Sequence, residues 1–139
     1  MKQECESMIK EQYVSFEVAK LLKEKGFDEG CSFVVNAISK GVMPVSWPTT
    51  NSDIEDEKAS LIALPTLQMA CKWLREVHNI HISITFGWVS GYNAQVDWAE
   101  ESEKGNDKPA CCVWRTYLNT TYEAAVEAAI KYCLEEIVR

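Results

Sequence analysis

The chain lacks most of what would announce a reaction. Its six glycines are scattered singly, and none belongs to a G-x-x-x-x-G-K, G-x-G-x-x-G or G-x-S-x-G run; H-E-x-x-H is missing too. Only two histidines occur in 139 residues, so a zinc site, which takes three or four protein ligands, could not be built from imidazoles alone. The cysteines (Cys5, Cys31, Cys71, Cys111, Cys112 and Cys133) show no C-x-x-C spacing. No apolar run approaches the roughly 18 residues of a membrane span, and MKQECESMIKEQ has no apolar signal-peptide core. A membrane partner is therefore not expected. A reducing compartment is, with the cysteines as mostly buried small hydrophobes. Positive charge is also short: Lys and Arg number 14 against 21 Asp and Glu, a net of −7. That field repels a phosphate backbone and suits a basic protein, so nucleic acid is disfavoured as a partner.

What is present is the composition of one globular domain, with 47% hydrophobic and 25% charged residues. Residues 1–12 are polar and expected to be a flexible terminus; residues 13–139 are expected to form a single α+β domain. In YVSFEVAKLLKEKGF, Ser15 can cap a helix that Gly26 ends in the left-handed conformation, folding Phe27 back. Cys31 to Ile38 alternates as a strand, and Ser39-Lys40-Gly41 turns it into a short strand from Val42 to Val45. WPTTNSDIEDEK, residues 47–58, reads as a loop, and SLIAL as a return to the sheet. Pro65 opens a helix whose stripe is Leu67, Ala70, Cys71, Leu74, Val77 and His78, with Asn79 as a left-handed stop. From Ile80 the period becomes two: Ile80, Ile82, Ile84, Phe86 and Trp88 face one way, His81, Ser83 and Thr85 the other. Pairing Trp88 with Tyr92 leaves Val89-Ser90-Gly91 as a three-residue loop. CCVWRTYL makes a further strand, and Thr120 with Glu123 forms a capping box for a last helix. The order is α-β-β-(β)-α-β-β-β-α: an antiparallel sheet, made of a β-hairpin plus a three-stranded meander, with about three helices packed on one face.

TLQMACKWLREVHNIHISI, residues 66–84, gathers Cys71 and both histidines, and invites a catalytic or metal reading. Cys71 and His78 are seven apart on one helix, about 10 Å along its axis, whereas a nucleophile and its base meet at about 3 Å. His78 ends a helix and His81 lies on the outward face of a strand, so their rings should diverge. DIEDE lacks the glycine and ligand spacing of a calcium loop. No catalytic residue, metal ligand or cofactor is assigned. Residues 65–137 run α-β-β-β-α, the order of a double-stranded-RNA-binding domain, but Glu123 and Glu127 stand where that fold needs positive charge.

YVSFEVAKLLKEKGFD, LPTLQMACKWLREVHNIHISI and TYEAAVEAAIKYCLEEI together resemble a set of small phage and prophage proteins of gut bacteria. The resemblance is carried most specifically by Pro65, Thr66, Trp73, Leu74, Arg75, Glu76, His78, Ile80 and Ile82. It implies an origin and no chemistry. The expectation is a non-enzymatic interaction protein acting on a host or phage factor in the bacterial cytoplasm, through acidic patches at Asp53, Glu55, Asp56 and Glu57 and at Glu100, Glu101 and Glu103. An alternative is a small-molecule or nucleotide binder using the polar sheet face, His81, Ser83, Thr85, Asn93, Gln95 and Asp97. Arg115 and Tyr117 join that face if Cys112 and Trp114 point inward. A third reading is a homodimer, because five tryptophans, among them Trp47 in a loop and Trp73 off its helix stripe, leave apolar surface over.

Overall fold

The computed structural model describes residues 9–54, 60–98 and 111–138. Three helices, α1 (Phe16–Glu24), α2 (Leu67–His78) and α3 (Tyr122–Tyr132), accompany six strands, β1 (Cys31–Asn36), β2 (Val42–Thr49), β3 (Leu61–Leu64), β4 (Ile80–Gly87), β5 (Gly91–Trp98) and β6 (Cys111–Asn119). The expected element order and α+β class are present. The strands divide into two antiparallel sheets, β2-β1-β3 and β4-β5-β6.

Local chemistry sets each boundary. The Ser15 hydroxyl accepts from the Val18 N–H at the start of α1. At its end Gly26 sits at φ 94, while Gly26 N donates to Lys23 O and Phe27 N to Leu22 O, the paired bonds of a left-handed stop. Phe27 is thereby folded under the helix, 1% exposed, and edge-on to Trp73. Pro65 lies outside α2; Thr66 is the cap and accepts from Met69 N. For α3 the cap is Thr121, not Thr120, since its hydroxyl reaches Ala124 N. The last turn relaxes into a π-helical segment, Cys133–Ile137. Gln12, at the end of the segment expected to fray, accepts from Leu67 N, and Tyr13 bridges Thr66.

Three further sequence expectations shift. β2 runs on to Thr49, so Trp47 belongs to a strand and not to a loop. Its prolines are compatible with this because β2 is an edge strand, where an N–H can be dispensed with. In α2 the buried residues are Leu67, Ala70, Trp73 and Leu74, and Val77 is 58% exposed. The large Trp73 surface, packed on Phe27 and His78, rotates the helix away from the Val77 stripe, so Trp73 leaves no apolar surface for a partner. In the β4–β5 hairpin Gly87 pairs with Gly91. The turn is therefore Trp88-Val89-Ser90, with Gly91 at φ 68 taking the left-handed position. Trp88 projects from it instead of lying on the inward face.

Leu22, Leu74, Ile80, Val96, Val126, Ile130 and Leu134, from all three helices, the π-helical turn and the second sheet, lie together in one core with almost no exposure. Burying a leucine completely contributes about 1.5–3 kcal/mol, and emptying its place costs more because the surroundings cannot collapse fully. Leu74→Ala is expected to lower the unfolding free energy by about 2–5 kcal/mol in chemical denaturation, with an unchanged denaturant slope.

Candidate functional site

The polar face expected on the second sheet exists, and the ladder brings most of its members together. Ser83 faces Gln95 and Thr85 faces Asn93; Gln95 in turn faces Arg115. Ser83, Thr85, Asn93, Gln95, Arg115 and Tyr117 line a shallow depression of about 250 Å³ with Ala94 in its floor. His81 and Asp97 face each other on the same side, outside the depression. Asp97 is already engaged, accepting both contacts of the Gln95 amide at 3.0 and 3.1 Å.

Of the two residues whose orientation decides whether Arg115 and Tyr117 join this face, Trp114 points inward, stacked on Tyr132 of α3 at 4.8 Å. Cys112 does not. A register break between Val96 and Asp97 inserts one residue into β6, and this bulge resets the alternation so that Cys112 and Arg115 share the outer face. Arg115 Nε donates to Cys112 Sγ at 3.2 Å, and hydrogen bonds with Tyr117 and then Cys112 raise the Arg115 pKa further. The Asn93 amide donates to Ser90 Oγ, while its carbonyl oxygen is shielded from solvent with no hydrogen-bond partner.

The histidines part as their positions in α2 and β4 require. The His78 ring packs edge-on against Trp73 at 4.7 Å, and burial lowers its pKa. His81 is exposed and pairs with the Asn79 side chain at 3.1 Å. Burial pushes the thiols of Cys31 and Cys71 up to about 11 and that of Cys133 up to about 12, which keeps them protonated. Three of the four described thiols thus have the character of core side chains, with Cys112 the exposed exception.

Of the acidic patches, only Asp53 is described, and it is exposed; Glu55, Asp56, Glu57, Glu100, Glu101 and Glu103 lie outside the described residues. Around Asp53 is a built structure that pattern reading missed. Asn51 donates to Phe27 O at 2.7 Å and accepts from Ala63 N at 3.0 Å. Ser52 donates to both carboxylate oxygens of Asp28, from its backbone N at 2.7 Å and from Oγ at 2.6 Å. Thr50 N donates to Asp53 Oδ2 at 3.0 Å. This turn fixes Asp28 and Asp53, with exposed Glu29 next in the chain, as an acidic rim next to β2, whose Trp47 is 77% exposed and whose Val42 and Met43 are also open. The signal was in TTNSD, a run of residues whose short side chains bond neighbouring backbone. What it could not give was the partner 24 residues away.

Among the described residues no helix is long and apolar enough to cross a membrane. The fold is that of a small α+β protein, with two three-stranded sheets among the described residues. No family model matches the sequence, and no curated protein or solved structure does either.

The Ser52 hydrogen bonds depress the Asp28 pKa. A depressed carboxylate adds stability that is present above its unfolded value, near 4, and is lost as pH falls through its lower folded value. In thermal melts from pH 6 to about pH 2, the wild type should lose melting temperature below about pH 4 more steeply than Asp28→Asn, and the two curves should converge at the acid end.

Proposed function

We propose that this chain is a non-enzymatic interaction module of phage or prophage origin that binds a host or phage protein in the bacterial cytoplasm. The observation that carries the reading is Trp47, open on an edge strand beside the clamped acidic turn. A large aromatic with a charged rim is the composition of an interface centre. Because Asn51 and Ser52 already hold the turn, little ordering entropy is lost when a partner docks. The acidic rim selects a basic partner and speeds encounter with it. The phage origin rests on the resemblance of the three quoted segments.

A second reading is favoured by the depression on the second sheet. Arg115 stands across from Gln95 and among the hydroxyls of Ser83, Thr85 and Tyr117, a donor set for a small anionic ligand. Screening nucleotides and organic anions by thermal shift addresses it, since a ligand at a hundred times its dissociation constant stabilises by about 2.7 kcal/mol; a flat panel would dismiss it.

For the leading reading, the tagged chain is expected to retain a basic protein from bacterial lysate at low salt and to release it as salt rises. Trp47→Ala should weaken binding of that protein roughly thirtyfold in titration, and Asp53→Asn should mainly slow association. Equal recovery by wild type and Trp47→Ala would count against the surface, and an empty capture against the function.

A further inference from the structure

The described strands end in four sheet edges, and three are closed to further pairing. β2 carries Pro44 and Pro48, which remove donors from its ladder. β3 has only four residues, and its Ala63 N–H is taken by Asn51. β6 is broken by two register shifts against β5, and bulges twist an edge out of line. β4 is different. Its pairing with β5 is unbroken from Ile80↔Trp98 to Gly87↔Gly91, among the described residues no strand pairs with its other side, and IHISITFG contains no proline, lysine, arginine or acid. Every second residue of such a strand turns its N–H and C=O outward, unpaired. Ile82 and Ile84 pack against the core but are only partly buried, whereas Ala94 and Val96 beside them on β5 are fully buried. The apolar side of the edge is therefore incompletely covered.

We propose that β4 pairs antiparallel with β4 of a second copy of this chain, joining the two meanders into one six-stranded sheet. An uncharged strand suits self-association in a molecule of net charge −7, because the two edges meet without like charges in contact. A two-fold axis is compatible with antiparallel pairing and gives a closed dimer. Side chains opposite one another in such a pair share a face, so odd-numbered residues meet odd-numbered ones, and the axis near the middle of β4 passes through Ser83 or Ile84. Either register carries Trp88 and Val89 of each copy past the start of the other's β4, toward the C-terminal end of its α2. Apolar surface is exposed at both of these places: Trp88 95%, Val89 96% and Val77 58%. The hairpin tip of one copy thus covers the open end of α2 in the other. With the β4 backbone and Phe86, the surface involved reaches on the order of 1,000 Å², near the lower end for specific dimers.

This interface rests on β4 and the hairpin tip and is independent of Trp47. Sedimentation velocity of the full chain, from low micromolar to near-millimolar concentration, should show a monomer–dimer equilibrium with twice the chain mass at the upper end. Ser83→Lys sets a lysine at or beside the axis on the exposed outer face, and Trp88→Ser removes the tip. Each should weaken the dimer at least about tenfold with an unchanged far-ultraviolet spectrum, and Trp47→Ala should leave it intact. A chain that stays monomeric throughout, or a dimer that keeps wild-type strength in Ser83→Lys or Trp88→Ser, overturns the proposal.

Discussion

Asn79 is the single residue on which the architecture turns. It ends α2 in the left-handed conformation, φ 54 and ψ 37, with its N–H bonded back to Leu74 O, and β4 begins at the next residue. Helix and strand are therefore joined with no loop between them, and the direction of one fixes the direction of the other. Asparagine adopts this backbone at modest cost where a β-branched residue would be strained. Because the side-chain period changes from 3.6 to 2 across this one position, Leu74 and Ile80 fall into the same core while His78 and His81 are sent to different surroundings. A longer linker would leave the helix free to swing, and the inner face of the meander would lose its cover.

The remaining helix contacts reinforce that arrangement without creating it. Glu127 of α3 accepts from the Ser15 N–H at 2.6 Å, so one helix supplies a carboxylate to the positive end of another. Lys131 reaches Glu17 at 3.2 Å and Glu135 at 3.9 Å. Glu127 and Lys131, four residues apart on α3, both turn toward α1. These groups are exposed, and exposed pairs contribute little individually. Their value is orientation, because they set the register between α1 and α3 while the apolar core supplies the stabilisation.

How much of this is legible in the chain depends on whether the information is local. Gly26, Asn79 and Gly91 each announce a left-handed position through residue type alone, and Phe27, Ile80 and Trp114 follow from alternation or from a stop beside them. Features decided by competition between distant surfaces are not legible in this way. Trp73 outcompeted Val77 for the interior because Phe27 was waiting for it. Cys112 changed face because β6 took an extra residue against β5, and no pattern within CCVWRTYL marks which residue bulges. The candidate polar face was readable for six of its residues on the two regular strands. The clamp between Ser52 and Asp28 was not, because nothing local indicates that the two turns meet.

The two unburied tryptophans show how this small fold distributes its apolar surplus. Trp47 sits on a proline-marked edge of the first sheet, and Trp88 on a turn at the end of the second. A turn tryptophan that merely lacked room in the core would be expected to fold onto the adjoining sheet, since covering an indole removes a large apolar area from water. Trp88 instead contacts Phe86 edge-on and keeps nearly all its surface open. Phe86 in turn leans on Tyr92, and Tyr92 on Tyr122 at the start of α3, so the tip is buttressed through a chain of rings back to the core. Support of this kind reduces the freedom an exposed side chain must surrender on contact, the condition under which an aromatic contributes most to binding.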